Sequence, residues 1–156
     1  MITRTDLPED LNLATWFVDW NVADGRGDNV ALVHRGGTTT YAELAWLTNR
    51  CGNLLRELGV RAQDRVLLVL GDSVEFVALW YGAQKIGAVT AEAYTFLQPK
   101  DYAYYIEYTD AKVVVVDETT EPAIRQVAGE RQVLVVNGDF RGDISDELDP
   151  APTPNG

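Results

Sequence analysis

Cysteine and histidine are almost absent from this chain. Cys51 and His34 are the sole representatives of their types among 156 residues. An internal disulfide is therefore excluded, and a zinc site of the usual nitrogen and sulfur donors lacks ligands. A lone cysteine fits a reducing compartment such as the cytoplasm. Positive charge is scarce too: 13 Lys and Arg stand against 24 Asp and Glu, a formal net charge of -11. A surface this acidic repels phosphate backbones and anionic lipid heads, which disfavours nucleic acid and membrane surfaces as partners. No apolar run approaches the length needed to cross a bilayer. The opening "MITRTDLPEDLN" has no basic stretch followed by an apolar one, so no secretory signal is expected. Neither G-x-G-x-x-G nor G-x-x-x-x-G-K-[ST] occurs, and the dinucleotide and P-loop readings fail with them.

What is present is regular structure. Apolar residues make up 46% of the chain, enough to bury one domain-sized core. "NLATWFVDWNV" places Leu13, Trp16, Phe17 and Trp20 at helical spacing, which predicts a helix docking through that face. "VALVHRGGTTT" reads as two short strands turned at Arg35-Gly36-Gly37. In "TYAELAWLTNRCGNLLRELGV", Thr40 and Glu43 form a capping box, so a helix starts at Tyr41. Leu44, Leu47, Cys51, Leu54 and Leu58 give that helix its apolar face, and Gly59 supplies a left-handed cap. From Arg65 onward strands and helices alternate: "RVLLVL", "SVEFVALWYGAQKIG", "AVTAEAY", "PKDYAYYIEYTD" begun by Pro99, "KVVVVD", "EPAIRQVAG" and "RQVLVVN". The strands "RVLLVL", "KVVVVD" and "RQVLVV" are apolar on both pleat faces, as in a parallel sheet covered on both sides. The fold class is α/β, a mainly parallel sheet flanked by helices with a small amino-terminal hairpin.

Few residues invite a chemical role. "LGDS" at 70–73 opens a helix after a strand, where free amides can hold an anion. A carboxylate at that mouth opposes phosphate, so Asp72 or Ser73 reads as a helix cap. Tyr94, Phe96, Tyr102, Tyr104, Tyr105 and Tyr108 form an aromatic block able to line a ligand pocket. Tyr102, Tyr105 and Ile106 share one helical face, which favours packing or an interface. Glu92 interrupts an apolar strand; it lies at the strand's open end, or it meets a cation or substrate supplied from elsewhere. His34 has no nucleophile or acid at a recognisable spacing, and Cys51 falls on an apolar helix face as a core residue. No catalytic, cofactor-binding or metal-binding residue is assigned.

"TTTYAELAWLTNRCGNLLRELGV", "DRVLLVLGDSVEFVALWYGAQKIGAV" and "TFLQPKDYAYYIEYTDAKVVVVD", in that order, resemble the start of the acyl-adenylate-forming enzymes. That superfamily comprises acyl- and aryl-CoA ligases, luciferases and peptide-synthetase adenylation domains. "TYAEL" matches its first core motif and "GAQKIGAV" lies where its second does. "AYTFLQPKDYAYYIEYTDAKVVVV" looks like the benzoate type of CoA ligase, without the "VPLDP"-like segment of peptide synthetases. The pattern departs at "VTAEAYTF" and at Gln63, where a glycine is common.

The resemblance implies an enzyme that joins a carboxylate to ATP, releases pyrophosphate and passes the acyl group to CoA, with ATP, magnesium and CoA as cofactors. It also implies that residues 1–138 are a partial amino-terminal α/β subdomain. Residues 139–156, acidic and proline-broken, then form a linker toward a phosphate-binding loop that is not in the sequence. In that segment Asp139, Asp143, Asp146, Glu147 and Asp149 face the single Arg141. On this reading the chain is inactive alone and binds no cofactor tightly. Its partners are the remainder of the enzyme, with its carboxylic acid substrate, or a second copy through exposed apolar surface. The alternative is a stand-alone α/β binding or interaction module with a sealed surface.

Overall fold

A computed structural model describes residues 11–136; the segment 139–156, read above as a linker, lies outside the described residues. Along the described residues, helical turns at Thr15–Asp19 and Val22–Arg26 precede a hairpin of β1 (Val30–His34) and β2 (Gly37–Thr40). There follow α1 (Tyr41–Glu57), β3 (Arg65–Val69), α2 (Val74–Lys85), β4 (Val89–Glu92), α3 (Pro99–Thr109), β5 (Val113–Asp117), α4 (Glu121–Arg125) and β6 (Gln132–Val136). β3 to β6 form one parallel sheet in the order β4-β3-β5-β6. The chain therefore moves one way from β3 to β4 and then crosses β3 to reach β5.

The central strands explain the layering. Val66, Leu68, Val113 and Val115 face one side and pack with Leu44, Cys51 and Leu55 of α1 and Ala78, Leu79 and Ala83 of α2. Leu67, Val69, Val114 and Val116 face the other and pack with Tyr102 and Ile106 of α3 and Ile124 of α4. Both faces are thus covered, as the continuous apolar runs of β3 and β5 require. β6 differs from the expectation: Val133 to Val136 are only half-buried, because β6 is an edge strand among the described residues.

Several local signals fold as written. The Thr40 hydroxyl accepts the Glu43 N–H, and the Glu43 carboxylate accepts the Thr40 N–H at 2.8 Å, so both halves of the capping box close. Gly59 takes φ of +79° at the end of α1, and Pro99 occupies the first turn of α3. In the hairpin His34 pairs with Gly37, which leaves Arg35 and Gly36 as the turn.

The amino-terminal segment docks through a different face from the one its spacing predicts. Ala14 and Val18 are buried, whereas Phe17 and Trp20 are 51% and 49% exposed. The cause is the winding: the Trp20 N–H bonds the Thr15 carbonyl, a five-residue step. Such a wider turn rotates the apolar residues off the face that a 3.6-residue period assigns.

Gln63 adopts φ of +68°. Its N–H bonds the Gly87 carbonyl at 2.8 Å and its carbonyl accepts Arg65 Nη1 at 3.1 Å, so neighbours hold the strained conformation. A left-handed non-glycine residue costs roughly 1–2 kcal/mol, of which glycine's larger unfolded-state entropy gives back about half. Gln63→Gly is therefore expected to raise the thermal midpoint by a few degrees. An unchanged or lower midpoint in a melting experiment would show that no strain is stored there.

Candidate functional site

Because the chain reverses direction across the sheet between β3 and β5, their carboxyl ends flank a crevice, the usual ligand position of open α/β sheets. Gly71, Asp72 and Ser73 form one wall, as the turn from β3 into α2. Ser73 caps α2: its hydroxyl accepts the Phe76 N–H at 3.1 Å. The opposite wall is Asp117, the last residue of β5. One of its oxygens, Oδ1, accepts the N–H groups of Thr119 and Thr120 at 2.9 Å each. The other, Oδ2, accepts the Gly71 N–H at 3.2 Å across the crevice. Thr120 completes the clamp by donating its hydroxyl to the Val69 carbonyl at 2.8 Å.

Burial by itself raises the Asp117 pKa, but the N–H groups of Thr120 and Gly71 and the other Thr119–Thr120 donors outweigh it, holding the carboxyl below the ordinary range. A cavity of about 220 Å³ opens here, lined by Leu70, Gly71, Asp72, Ser73, Glu75, Asp117 and Val136. It adjoins, through Asp72 and Ser73, a groove of about 660 Å³ between α2 and the hairpin. Three carboxylates line the smaller space, and the Gly71 N–H at its edge already bonds Asp117. The crevice does not fit an ATP phosphate chain.

The sequence-derived candidates lie apart from one another. Glu92 ends β4 with its side chain exposed, and its carboxylate accepts Trp80 Nε1 at 2.9 Å, so it is the open end of the strand that holds. Tyr102 is buried, and its hydroxyl donates to the Tyr94 carbonyl at 2.9 Å while accepting the Leu97 N–H, closing the loop before α3. Tyr94 stacks on Phe96 and Tyr104 on Tyr108, all four largely exposed. His34 is exposed, with Nε2 3.2 Å from the Thr39 hydroxyl and no catalytic partner. Cys51 is fully buried, which pushes its thiol pKa far up and leaves it inert. Sequence reasoning missed Asp117 and Thr120; the signal was present in "DETT", an aspartate placed to bond amides two and three residues on.

Among the described residues no group of His, Cys, Asp and Glu converges in a way that could hold a metal ion. No helix there is long and apolar enough to cross a membrane.

Comparison with known proteins settles what scaffold this is. The family model for AMP-binding enzymes matches residues 19–154. The chain belongs to that family. AMP-binding relatives include the 4-hydroxybenzoate--CoA/benzoate--CoA ligase of Rhodopseudomonas palustris, 36% identical over 121 residues, which are 78% of this chain and 22% of the relative. The benzoate--CoA ligase of Thauera aromatica is 35% identical over 82% of this chain and 24% of its own length. Among solved AMP-binding structures, an anthranilate CoA ligase in complex with anthranoyl-AMP superposes with a TM-score of 0.87 at 27% identity, covering 97% of this chain and 31% of that one. The chain spans about a quarter of the length of the curated relatives it matches. Its fold is the amino-terminal part of the adenylate-forming ligase fold, and it resembles the benzoate-type CoA ligases.

Proposed function

We propose that the chain is the leading α/β portion of an ATP-dependent CoA ligase acting on an aryl or acyl carboxylate. In such a reaction a carboxylate oxygen attacks the α-phosphorus of ATP and expels pyrophosphate. The CoA thiol then attacks the acyl carbonyl and expels AMP. The observation that carries the reading is the 36% identity to a hydroxybenzoate and benzoate ligase across 78% of the chain. The substrate class follows from the same likeness.

The crevice chemistry limits what this portion does. Its carboxylates repel a triphosphate, so ATP, magnesium and CoA are held by parts of the enzyme beyond these residues, and the chain alone is inactive. On this reading residues 1–138 are scaffold, 139–156 lead toward the phosphate-binding loop, and the setting is cytoplasmic. Large apolar side chains such as Val33, Phe96 and Tyr108, each more than three-quarters exposed, favour a scaffold that docks against more protein over a sealed module.

The test is reconstitution with the remaining part of a ligase. Pyrophosphate release that depends on both ATP and benzoate or another carboxylate is expected from the joined or mixed parts and not from this chain alone. Release by the isolated chain, or none from a joined enzyme whose benzoate-type relative is active in parallel, would overturn the proposal.

A further inference from the structure

The two oxygens of Asp117 serve different loops. Oδ1 organises the residue's own turn through Thr119 and Thr120. Oδ2 reaches Gly71, 46 residues away in sequence. β3 and β5 are already paired along their length, and Thr120 already bonds the Val69 carbonyl. What the Gly71 bond adds is control of the turn beyond the strand end.

That turn sits at a junction. Asp72 and Ser73 line both the small cavity and the larger groove, and Glu75 in the first turn of α2 lines the small one. Val136, the last described residue of β6, lines it as well. We infer that Asp117 is a positioning residue for the ligase reaction: through Gly71 it fixes the Gly71–Ser73 turn, and with it Asp72 and the start of α2, at the mouth of the crevice where open α/β sheets place their ligands. The inference rests on the ligase reading above.

Asparagine separates the two duties of Asp117. With its amide oxygen in the Oδ1 place it still accepts from Thr119 and Thr120, while its NH₂ faces the Gly71 N–H, donor against donor. The flipped amide forfeits two bonds instead of one and is disfavoured. Asp117→Asn therefore cuts the tie across the crevice and keeps the turn.

The experiment uses the intact ligase as wild type, Asp117→Asn and Arg125→Ala, the last a control in a surface pair with Glu121 within α4. Three quantities are read: kcat and KM for carboxylate-dependent pyrophosphate release, the thermal midpoint, and hydrogen exchange at the Gly71 amide. In Asp117→Asn, Gly71 exchange accelerates and kcat/KM falls about 10- to 100-fold, the scale of a misplacement near 1 Å, while the midpoint moves by only a few degrees. The control matches wild type. Unchanged Gly71 exchange overturns the inference, and so does accelerated exchange with wild-type kcat/KM. A loss of activity that tracks a lowered midpoint and recovers on cooling shows a structural role only and also overturns it. A wild-type enzyme that releases no pyrophosphate overturns the ligase reading, and this inference with it; an active wild type beside an unaffected variant overturns the inference alone.

Discussion

Gly82→Ala is expected to destabilise the fold by about 2 kcal/mol or more, against a typical total of 5–15 for a domain. The reason is a close helix crossing. A Cβ at residue 82 of α2 would lie 2.8 Å from Cys51 Cβ, 2.8 Å from the Gly52 nitrogen and 3.0 Å from the Thr48 carbonyl oxygen, all on α1. Two of those atoms are backbone, so relief requires α1 itself to shift, together with the Leu44 and Leu55 packing it carries onto β3 and β5. Two effects oppose each other. Alanine favours a helix interior over glycine by roughly 1 kcal/mol, and overpacking a tight core costs about 1–3 kcal/mol with more where backbone is met. The clash wins because no flexible side chain end is available to give way. Chemical denaturation of the variant beside wild type measures it, and a midpoint equal to or above wild type would mean that the two helices separate readily.

Where structure was legible in the sequence, the information was local. Thr40 and Glu43 are three residues apart and need only each other and their own backbone to start α1. The runs of β3 and β5 carry their burial in composition, since four consecutive apolar residues have no solvent-facing position. Pro99 and Gly59 mark a start and a stop through their own dihedral preferences. The site was legible only in part. Asp117 bonding Thr119 is again local, but its bond to Gly71 depends on β3 and β5 lying side by side after two crossovers, which no window along the chain contains. The amino-terminal face is misassigned as well. The Trp20 N–H reaches the Thr15 carbonyl in a five-residue step, and the apolar spacing alone does not encode it.

The docking of the amino-terminal segment yields the second large effect, because it rests on a buried charge. Lys85 ends α2 with its side chain only 4% exposed, and its ammonium lies 2.7 Å from the Asp19 carboxylate and 2.6 Å from Asn49 Oδ1. Asp19 belongs to the amino-terminal turns, 66 residues away, so the pair pins that segment to the α1–α2 layer. Asn12 reinforces it by donating to the Gln84 and Lys85 carbonyls at the end of α2.

Removing one member of a buried pair costs about 3–5 kcal/mol, since the other is left charged without its partner. Asp19 keeps a 28% exposed side chain, which lets water reach a stranded Lys85, so Asp19→Ala is expected near the lower end of that range. Lys85→Met removes the charge and retains an apolar stem in the same space, and its cost is expected to be about 1 kcal/mol. The double variant should resemble Lys85→Met, because once the ammonium is gone the partly exposed carboxylate has little left to lose. Denaturation midpoints of the three variants form a double-mutant cycle that isolates the pair. Additive losses, or an Asp19→Ala no worse than Lys85→Met, would show that the amino-terminal segment is held by Ala14, Val18 and the Asn12 bonds and that the ion pair only accompanies them.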